Sequence, residues 1–108
     1  MGVVIVGVAV EQTAYHFDKP FDYVLPEHLF KQNIVGCRVQ VPFGRGTASR
    51  VGMVMYKKHE ESLPEGLKEV ADVLDGEPVL NDEMLELGKY ISEQNFCPLY
   101  DSFKAMLP

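Results

Sequence analysis

An almost wholly apolar run of eight residues, VVIVGVAV at Val3–Val10, constrains the fold of this chain more than any other segment. Most of its side chains are β-branched, and a run of this kind predicts a strand buried on both faces. It is far shorter than the about 20 residues needed to span a bilayer. The first residues also lack the basic segment and small-residue cleavage site of a signal peptide. We therefore expect a strand in a soluble protein that makes no membrane contact.

Four further segments have strand patterns. FDYVL, residues 21–25, lies between two prolines and is rich in aromatic and β-branched residues. GCRVQVPFG, residues 36–44, and RVGMVMY, residues 50–56, alternate apolar with polar side chains, which predicts a hairpin with a flexible tip. The polar stretch KKHEESLPEG, residues 57–66, is typical of a solvated loop. The short apolar run VADVL, residues 70–74, predicts a fifth strand.

The pattern changes to helical periodicity at Asn81, which is a candidate N-cap followed by acidic residues in the first turn. Apolar residues then recur at spacings of three and four, so the sequence predicts an amphipathic helix that buries Met84, Leu87, Tyr90 and Ile91. A second, shorter helix is predicted over residues 99–107, with Leu99, Phe103 and Leu107 on one stripe.

Strands followed by helices, without βαβ alternation, predict an α+β and mainly β fold. We expect a small β-barrel or a strongly curved, OB-like antiparallel sheet with C-terminal helices. With 108 residues, of which 46% are hydrophobic, the chain suits one hydrophobic core. We predict a single domain over residues 1–108, with a β-rich body at 1–80 and a helical part at 81–108.

The charge of the chain is unevenly distributed. The formal net charge is −6, which by itself argues against a nucleic-acid partner. The segment 38–58, however, contains no acidic residue and five basic ones, namely Arg38, Arg45, Arg50, Lys57 and Lys58. This segment is either a hairpin that is basic for solubility or an edge that contacts phosphates, with Arg45 and Arg50 as the candidate contacts.

No pattern of catalytic or metal-binding residues accompanies the basic hairpin. Cys37 and Cys97 have no CxxC spacing, and His16, His28 and His59 show no ligand spacing, so a zinc site is not indicated. Two reduced thiols in a cytosolic protein are the simpler reading. The glycine-rich hairpin tip matches neither phosphate-binding loop, because it joins two strands and does not lead into a helix. We therefore expect no enzyme and no cofactor within this chain.

An ordered set of five motifs resembles the N-terminal domain of the primosomal replication-restart helicases, the PriA family, also called primosomal protein N-prime. The motifs are FDYVLP, GCRVQVPFG, GMV after a basic hairpin, LKEVADVLDGEPVLNDEMLEL and a terminal AMLP. The match extends over Val3–Pro108. The resemblance implies an N-terminal fragment of a longer, ATP-dependent 3′-5′ helicase whose motor, magnesium-dependent Walker motifs and zinc-binding cysteine cluster lie downstream.

In this family the domain binds the 3′ end of the nascent leading strand at a stalled fork, without base specificity. The resemblance therefore implies a partner DNA with a 3′-hydroxyl end and a bacterial, cytoplasmic location at the nucleoid. Further partners are the remaining domains of the same helicase, and primosome and single-strand-binding proteins.

The resemblance also implies a pocket for the strand end, built from Phe21, Asp22, Gly44 and Lys68. Phe21 would stack on an unpaired base. The carboxylate of Asp22 would accept a hydrogen bond from the 3′-hydroxyl or a base edge, and would repel a phosphate at that position. Gly44 would allow close approach of the main chain, and Lys68 would contact the last phosphate.

The residues by themselves leave structural roles open for these four positions. Phe21 would then be a core residue, Asp22 a turn residue or the partner of Lys19, Gly44 a bend and Lys68 a solvated charge. A second function also stays open, a protein-interaction module in which the hairpin edge or the acidic helical end docks the helicase core or a primosome partner.

Overall fold

A computed structural model describes residues 2–13, 19–44 and 48–107. Its strands are β1 (Val3–Val10), β2 (Phe21–Leu25), β3 (Arg38–Pro42), β4 (Ser49–Glu60) and β5 (Asp72–Val73). Its α-helices are α1 (Asp82–Asn95) and α2 (Leu99–Ala105), and a short 3-10 helix covers Glu27–Leu29. The expected mainly β, α+β class with C-terminal helices is confirmed.

The five strands form one antiparallel sheet in the order β2-β1-β4-β3-β5. This sheet does not close into a barrel. Of the two shapes expected, the structure therefore has the curved, open sheet. An isolated parallel bridge between Val24 and Glu69 nevertheless connects β2 to the segment just before β5. The sheet is therefore curved enough to bring the neighbourhoods of its two edge strands together.

Strand β1 lies inside the sheet, between β2 and β4, and both of its faces are covered. Val6, Val8 and Val10 belong to one hydrophobic cluster, on the concave side, with residues of β2, β3 and β4. Ala9 belongs to a second cluster on the other face, where α1 and α2 pack. The prediction of a strand buried on both faces is confirmed.

Strand β4 is longer than the sequence predicts. The sequence pattern places Lys57–Glu60 in a solvated loop. In the structure these four residues continue β4 and pair with Val3–Val6 of β1. Charged residues are poor strand formers in isolation, but pairing with a well-buried neighbour outweighs that preference. The register shifts between Gly7 and Val8, which accommodates one extra residue in β4.

Helix α1 begins as predicted, with the Asn81 side chain accepting a hydrogen bond of 2.9 Å from the N–H of Met84. The predicted buried face is wrong. Met84, Leu87 and Tyr90 are 40%, 50% and 60% exposed, and Ile91 is only half-buried.

The face of α1 that is buried consists of Leu85, Gly88 and Ser92. A Cβ at Gly88 would lie 2.3 Å from Cε1 of Phe103, and the Ser102 hydroxyl donates to the Gly88 carbonyl at 2.8 Å. Small residues thus form the contact between the helices, and hydrophobic periodicity does not detect them. The predicted stripe of the second helix is confirmed for Leu99 and Phe103, which are buried. Helix α2 ends at Ala105, before the predicted end at 107, and Leu107 packs against the same cluster from beyond it.

Two remaining sequence expectations concern thiols and membranes. Cys37 is buried and Cys97 is half-buried, and both are free. Burial raises the pKa of the Cys37 thiol, which favours its protonated form. Within the described ranges, none of the helices is long and apolar enough to cross a membrane.

Candidate nucleic-acid interface

The four residues of the expected strand-end pocket lie around one cavity. Phe21, Asp22, Gly44 and Lys68 all line an open space of about 330 Å³. The cavity lies where β2 begins, where β3 has just ended and where the chain approaches β5. Its other lining residues are Tyr23, Pro42, Phe43, Gly66 and Leu67.

Backbone hydrogen bonds place Lys68 next to β2. The N–H of Val24 donates to the Lys68 carbonyl at 2.9 Å, and the N–H of Val70 donates to the Val24 carbonyl at 2.9 Å. Main-chain N–H and C=O groups two residues apart in a strand point to the same edge. The N–H and C=O of Asp22 therefore also face the segment that contains Lys68. The Lys68 ammonium then crosses to the Gly44 carbonyl, to which it donates at 3.0 Å.

Two phenylalanine rings form the apolar part of the cavity wall. Phe21 and Phe43 make an edge-to-face contact, with ring centroids 5.2 Å apart and planes at 78°. The guanidinium carbon of Arg50 lies 4.5 Å from the centroid of Phe43. A cation on the face of this ring adds positive charge next to an aromatic surface.

Gly44 has a left-handed backbone conformation, with φ of 76°. Residues with a Cβ rarely adopt this conformation, and glycine does so without steric cost. A Cβ built at Gly44 would have no atom within 4 Å. The left-handed backbone conformation therefore favours glycine at position 44, and the space beside it stays open.

The carboxylate of Asp22 has two partners, both from β4. Its Oδ1 accepts a hydrogen bond of 2.6 Å from the Tyr56 hydroxyl, and its Oδ2 lies 3.2 Å from the Lys58 ammonium. The partner cation is thus Lys58, and the alternative pairing with Lys19 is wrong. The side chain of Asp22 remains 32% exposed, so the carboxylate can still accept hydrogen bonds from outside.

The Tyr56 hydroxyl is a firm donor in this contact. Burial, together with the hydrogen bond to Asp22 and the negative charge of Asp22, raises the pKa of Tyr56 to about 12. The phenol consequently keeps its proton at neutral pH and donates to the carboxylate.

The basic hairpin is less cationic in three dimensions than in sequence. Asp75 accepts hydrogen bonds from Nε and Nη2 of Arg38 at 3.0 and 2.8 Å. Lys58 faces the Asp22 carboxylate, whereas Lys57 keeps its charge and donates to the Gln32 carbonyl at 2.6 Å. The positive charge that remains near the cavity comes from Arg50 and from Lys68, which lies outside the hairpin. Arg45, the other expected phosphate contact, is outside the described residues.

The comparison with protein families decides what this domain is. Residues 4–108 match the model of the 3′DNA-binding domain (3′BD) of PriA. The chain belongs to the PriA 3′DNA-binding domain family. It is also 36% identical over 102 residues to the replication restart protein PriA of Bacillus subtilis (strain 168). That alignment covers 94% of this chain and 12% of the length of the B. subtilis protein.

Membership of the PriA 3′BD family confirms the resemblance found in the sequence and gives the chain a DNA-binding role. It does not test the roles of Phe21, Asp22, Gly44 and Lys68, which stay predictions. What the structure adds is that these residues, which are up to 47 positions apart in sequence, line a single cavity.

Sequence reasoning missed three residues of this site. Phe43 adjoins Gly44 and could have been found from the PFG motif, because an aromatic residue at a strand end is a candidate stacking surface. Tyr56 and Lys58 had no local signal, since their contact with Asp22 depends on the strand order. In the described part of the chain, no three His, Cys, Asp or Glu side chains are arranged to hold a metal ion.

Proposed function

We propose that this PriA 3′BD domain binds the 3′-hydroxyl end of a DNA strand in the cavity lined by Phe21, Asp22, Gly44 and Lys68. The observation that carries the proposal is that Phe21, Asp22, Phe43 and Lys68 line one open space, with the Asp22 side chain still 32% exposed. At about 330 Å³ the cavity is at the lower end of the range of roughly 300–1,000 Å³ for small-ligand sites. This size favours a single terminal nucleotide.

The chemistry of the lining accounts for selection of a strand end. A carboxylate repels phosphate but accepts a hydrogen bond from a hydroxyl. Only a terminal nucleotide has a 3′-hydroxyl with no phosphate beyond it. Asp22 therefore disfavours both interior DNA and ends that carry a 3′-phosphate, which is selection by repulsion as well as by attraction.

The other lining residues favour binding without base specificity. Stacking on an aromatic ring contributes about 1–3 kcal/mol per base and works for every base. Phe21 and Phe43 supply such rings. Lys68 and Arg50 supply positive charge for the phosphate on the 5′ side of the terminal nucleotide, which carries no sequence information.

The rest of the function follows from the family and extends beyond this chain. We place the domain at the nascent leading strand of stalled replication forks, in the bacterial cytoplasm at the nucleoid. The chain corresponds to 12% of the length of its B. subtilis relative. The helicase motor, with ATP and magnesium, and the zinc-binding cysteine cluster would lie in the remainder of the full-length protein.

Fluorescence anisotropy with 5′-labelled single-stranded oligonucleotides tests the end-binding proposal. We expect a 3′-phosphate to weaken binding by about tenfold relative to a 3′-hydroxyl, because one charge-assisted hydrogen bond is replaced by repulsion. Asp22→Ala should remove this preference. Equal affinities of the wild-type domain for the two ends would refute the proposal.

Arg50→Ala and Lys68→Ala are the matching variants for phosphate contact. Each should lower affinity for both ends alike and reduce the slope of log K against log salt by about 0.7, the value for one phosphate of a single strand. Lys104→Ala, a change at an exposed lysine of α2, is the control and should change neither quantity.

A second function is favoured by the exposed face of α1. Met84, Leu87 and Tyr90 lie at intervals of three and are 40–60% exposed. The same helix carries acidic residues, including Glu83, Glu86 and Glu93. Apolar side chains that share a helical face and remain exposed are typical of a protein-binding surface. We propose that this face docks the remaining domains of the longer protein, with primosome and single-strand-binding proteins as the alternative partners.

A further inference from the structure

Asp22 and Tyr56 are not neighbours in the sheet, although their side chains are hydrogen-bonded. Asp22 of β2 is opposite Gly7 of β1, and Gly7 is opposite Tyr56 of β4. Adjacent strands are about 4.8 Å apart, so the two backbones are separated by roughly 10 Å. A side chain can bridge this distance only if it is long and if the residue in between leaves room.

Gly7 provides that room. A Cβ at this position would lie 2.1 Å from Cζ of Tyr56 and within 2.5 Å of both Cε atoms. The tyrosine ring therefore lies directly over the glycine and reaches across β1. No other residue type at position 7 would permit this path without displacing the ring.

The contact holds both oxygens of the Asp22 carboxylate. Tyr56 and Lys58 are two residues apart on β4 and so point to the same face of the sheet. Tyr56 donates to Oδ1 at 2.6 Å, and Lys58 faces Oδ2 at 3.2 Å. A short O–H···O⁻ contact is a charge-assisted and therefore strong hydrogen bond. A carboxylate has about four lone-pair sites, so acceptor capacity remains after both contacts are made.

We propose that Tyr56 is the positioning residue for 3′-end selection, because its hydroxyl, reaching over Gly7, orients the Asp22 carboxylate so that the free lone pairs receive the terminal 3′-hydroxyl. This inference rests on the proposed function of the cavity. Lys58 has a complementary role. Its charge offsets that of Asp22, so the carboxylate repels the phosphate on the 5′ side of the terminal nucleotide less strongly.

The direction of the Tyr56 hydrogen bond supports this role. With its pKa raised to about 12, by burial and by Asp22, the phenol stays protonated over the whole range in which DNA binding is measured. The phenol of Tyr56 is therefore the donor in its contact with Asp22 at neutral pH.

Tyr56→Phe is the variant that tests the inference, because it keeps the ring over Gly7 and removes only the hydroxyl. The measured quantity is the ratio of the dissociation constants for 3′-phosphate and 3′-hydroxyl oligonucleotides, at a temperature well below the melting midpoint of each variant. We expect the ratio to fall about three- to tenfold, the effect of losing one hydrogen bond of ordinary net strength. The fall should come from weaker binding of the hydroxyl end, with an unchanged salt slope.

Two further variants separate positioning from general packing. Tyr56→Phe added to Asp22→Ala should have no additional effect on the ratio, because the hydroxyl acts only through Asp22. Gly7→Ala should displace the ring and reproduce the loss of selectivity. Tyr100→Phe, the same change at a tyrosine of α2 that packs in the second cluster, is the matched control and should leave the ratio at the wild-type value.

The possible outcomes distinguish this inference from the proposed function. If the wild-type domain shows no preference for the hydroxyl end, both are overturned. If the wild type prefers that end, Asp22→Ala loses the preference and Tyr56→Phe retains it in full, only the role of Tyr56 is overturned. Equal weakening of both ends by Tyr56→Phe would also overturn it, since the tyrosine would then act through packing.

Discussion

At the scale of single residues, the unexpected aspartate in a short strand is explained by its partners. Asp22 lies in β2, where carboxylates are disfavoured, but Tyr56 and Lys58 bind both of its oxygens. The same contacts leave it partly exposed beside the cavity. A residue that is costly for the strand is therefore tolerated by the fold, as is expected where a position serves binding.

Gly44 provides a prediction at this scale. Its φ of 76° makes Gly44→Ala strained, with an expected loss of about 1–2 kcal/mol in the free energy of unfolding. Gly44→Asn separates strain from bulk, because asparagine tolerates the left-handed region. If Gly44 leaves room for the nucleotide, both variants should bind oligonucleotides more weakly by anisotropy, and only Gly44→Ala should be clearly destabilised in urea unfolding. Wild-type affinity in both would show that the glycine serves the turn alone.

At the scale of elements, a charged pair helps to connect the sheet to the segment before α1. Asp75 accepts three hydrogen bonds from Arg38 of β3, from the backbone N–H at 2.8 Å and from Nε and Nη2 of the guanidinium. Only 9% of the Asp75 side chain is exposed. The hydrogen bonds from the Arg38 side chain are the largest cause that lowers the pKa of Asp75 below its ordinary value.

Asp75→Asn should therefore destabilise the domain at pH 7 by about 1.5–3 kcal/mol, the range for hydrogen bonds to a charged group. Because the folded-state pKa of Asp75 is lowered, its contribution is complete above the ordinary pKa and is lost as the pH falls through the folded-state pKa. The difference between wild type and variant in urea unfolding should consequently shrink below about pH 4.

The exposed pair of Lys89 and Glu86 on α1 gives the control for this prediction. Its atoms are 3.3 Å apart, and 74% of the Glu86 side chain is exposed. Exposed ion pairs contribute little, so Glu86→Gln should change the free energy of unfolding by less than about 0.5 kcal/mol. An Asp75→Asn variant as stable as Glu86→Gln would contradict the structural role assigned to Asp75.

At the scale of the whole molecule, the candidate DNA site and the exposed face of α1 belong to different parts of the fold. Phe21 and Phe43 at the cavity pack against the cluster on the concave side of the sheet. Helix α1 packs against the other cluster, on the opposite face. Arg50 and Lys68 lie near the cavity, whereas α1 carries several acidic residues. The proposed protein-binding face of α1 therefore does not overlap the candidate DNA site.

Leu87→Glu tests the protein-binding role at this scale. Leu87 is 50% exposed, so the change should leave the melting midpoint and the oligonucleotide affinity of the isolated domain unaltered. Its affinity for the remainder of the full-length protein, supplied in trans and measured by anisotropy of the labelled domain, should fall by about tenfold or more, since burial of a leucine contributes about 1.5–3 kcal/mol. Leu74→Glu, at a leucine that is 43% exposed and outside α1, is the control. Equal losses in the two variants would argue against docking through α1.

Local sequence patterns determined most of the elements and their order. The β-branched run of β1, the alternation in β3 and β4 and the cap at Asn81 each act over a few residues, so they can be read without knowing the fold. The four cavity residues came from the family resemblance, because no local pattern distinguishes Phe21 or Lys68 from ordinary strand and surface residues.

Only the tertiary structure decided which residues hold Asp22 and which face of α1 is buried. Tyr56 reaches Asp22 because β4 and β2 lie on either side of β1 and because Gly7 has no side chain. Helix α1 turns its small residues inward because Phe103 packs directly on Gly88. Both outcomes depend on contacts between segments far apart in the chain, where shape and strand order outweigh the hydrophobicity that a sequence displays.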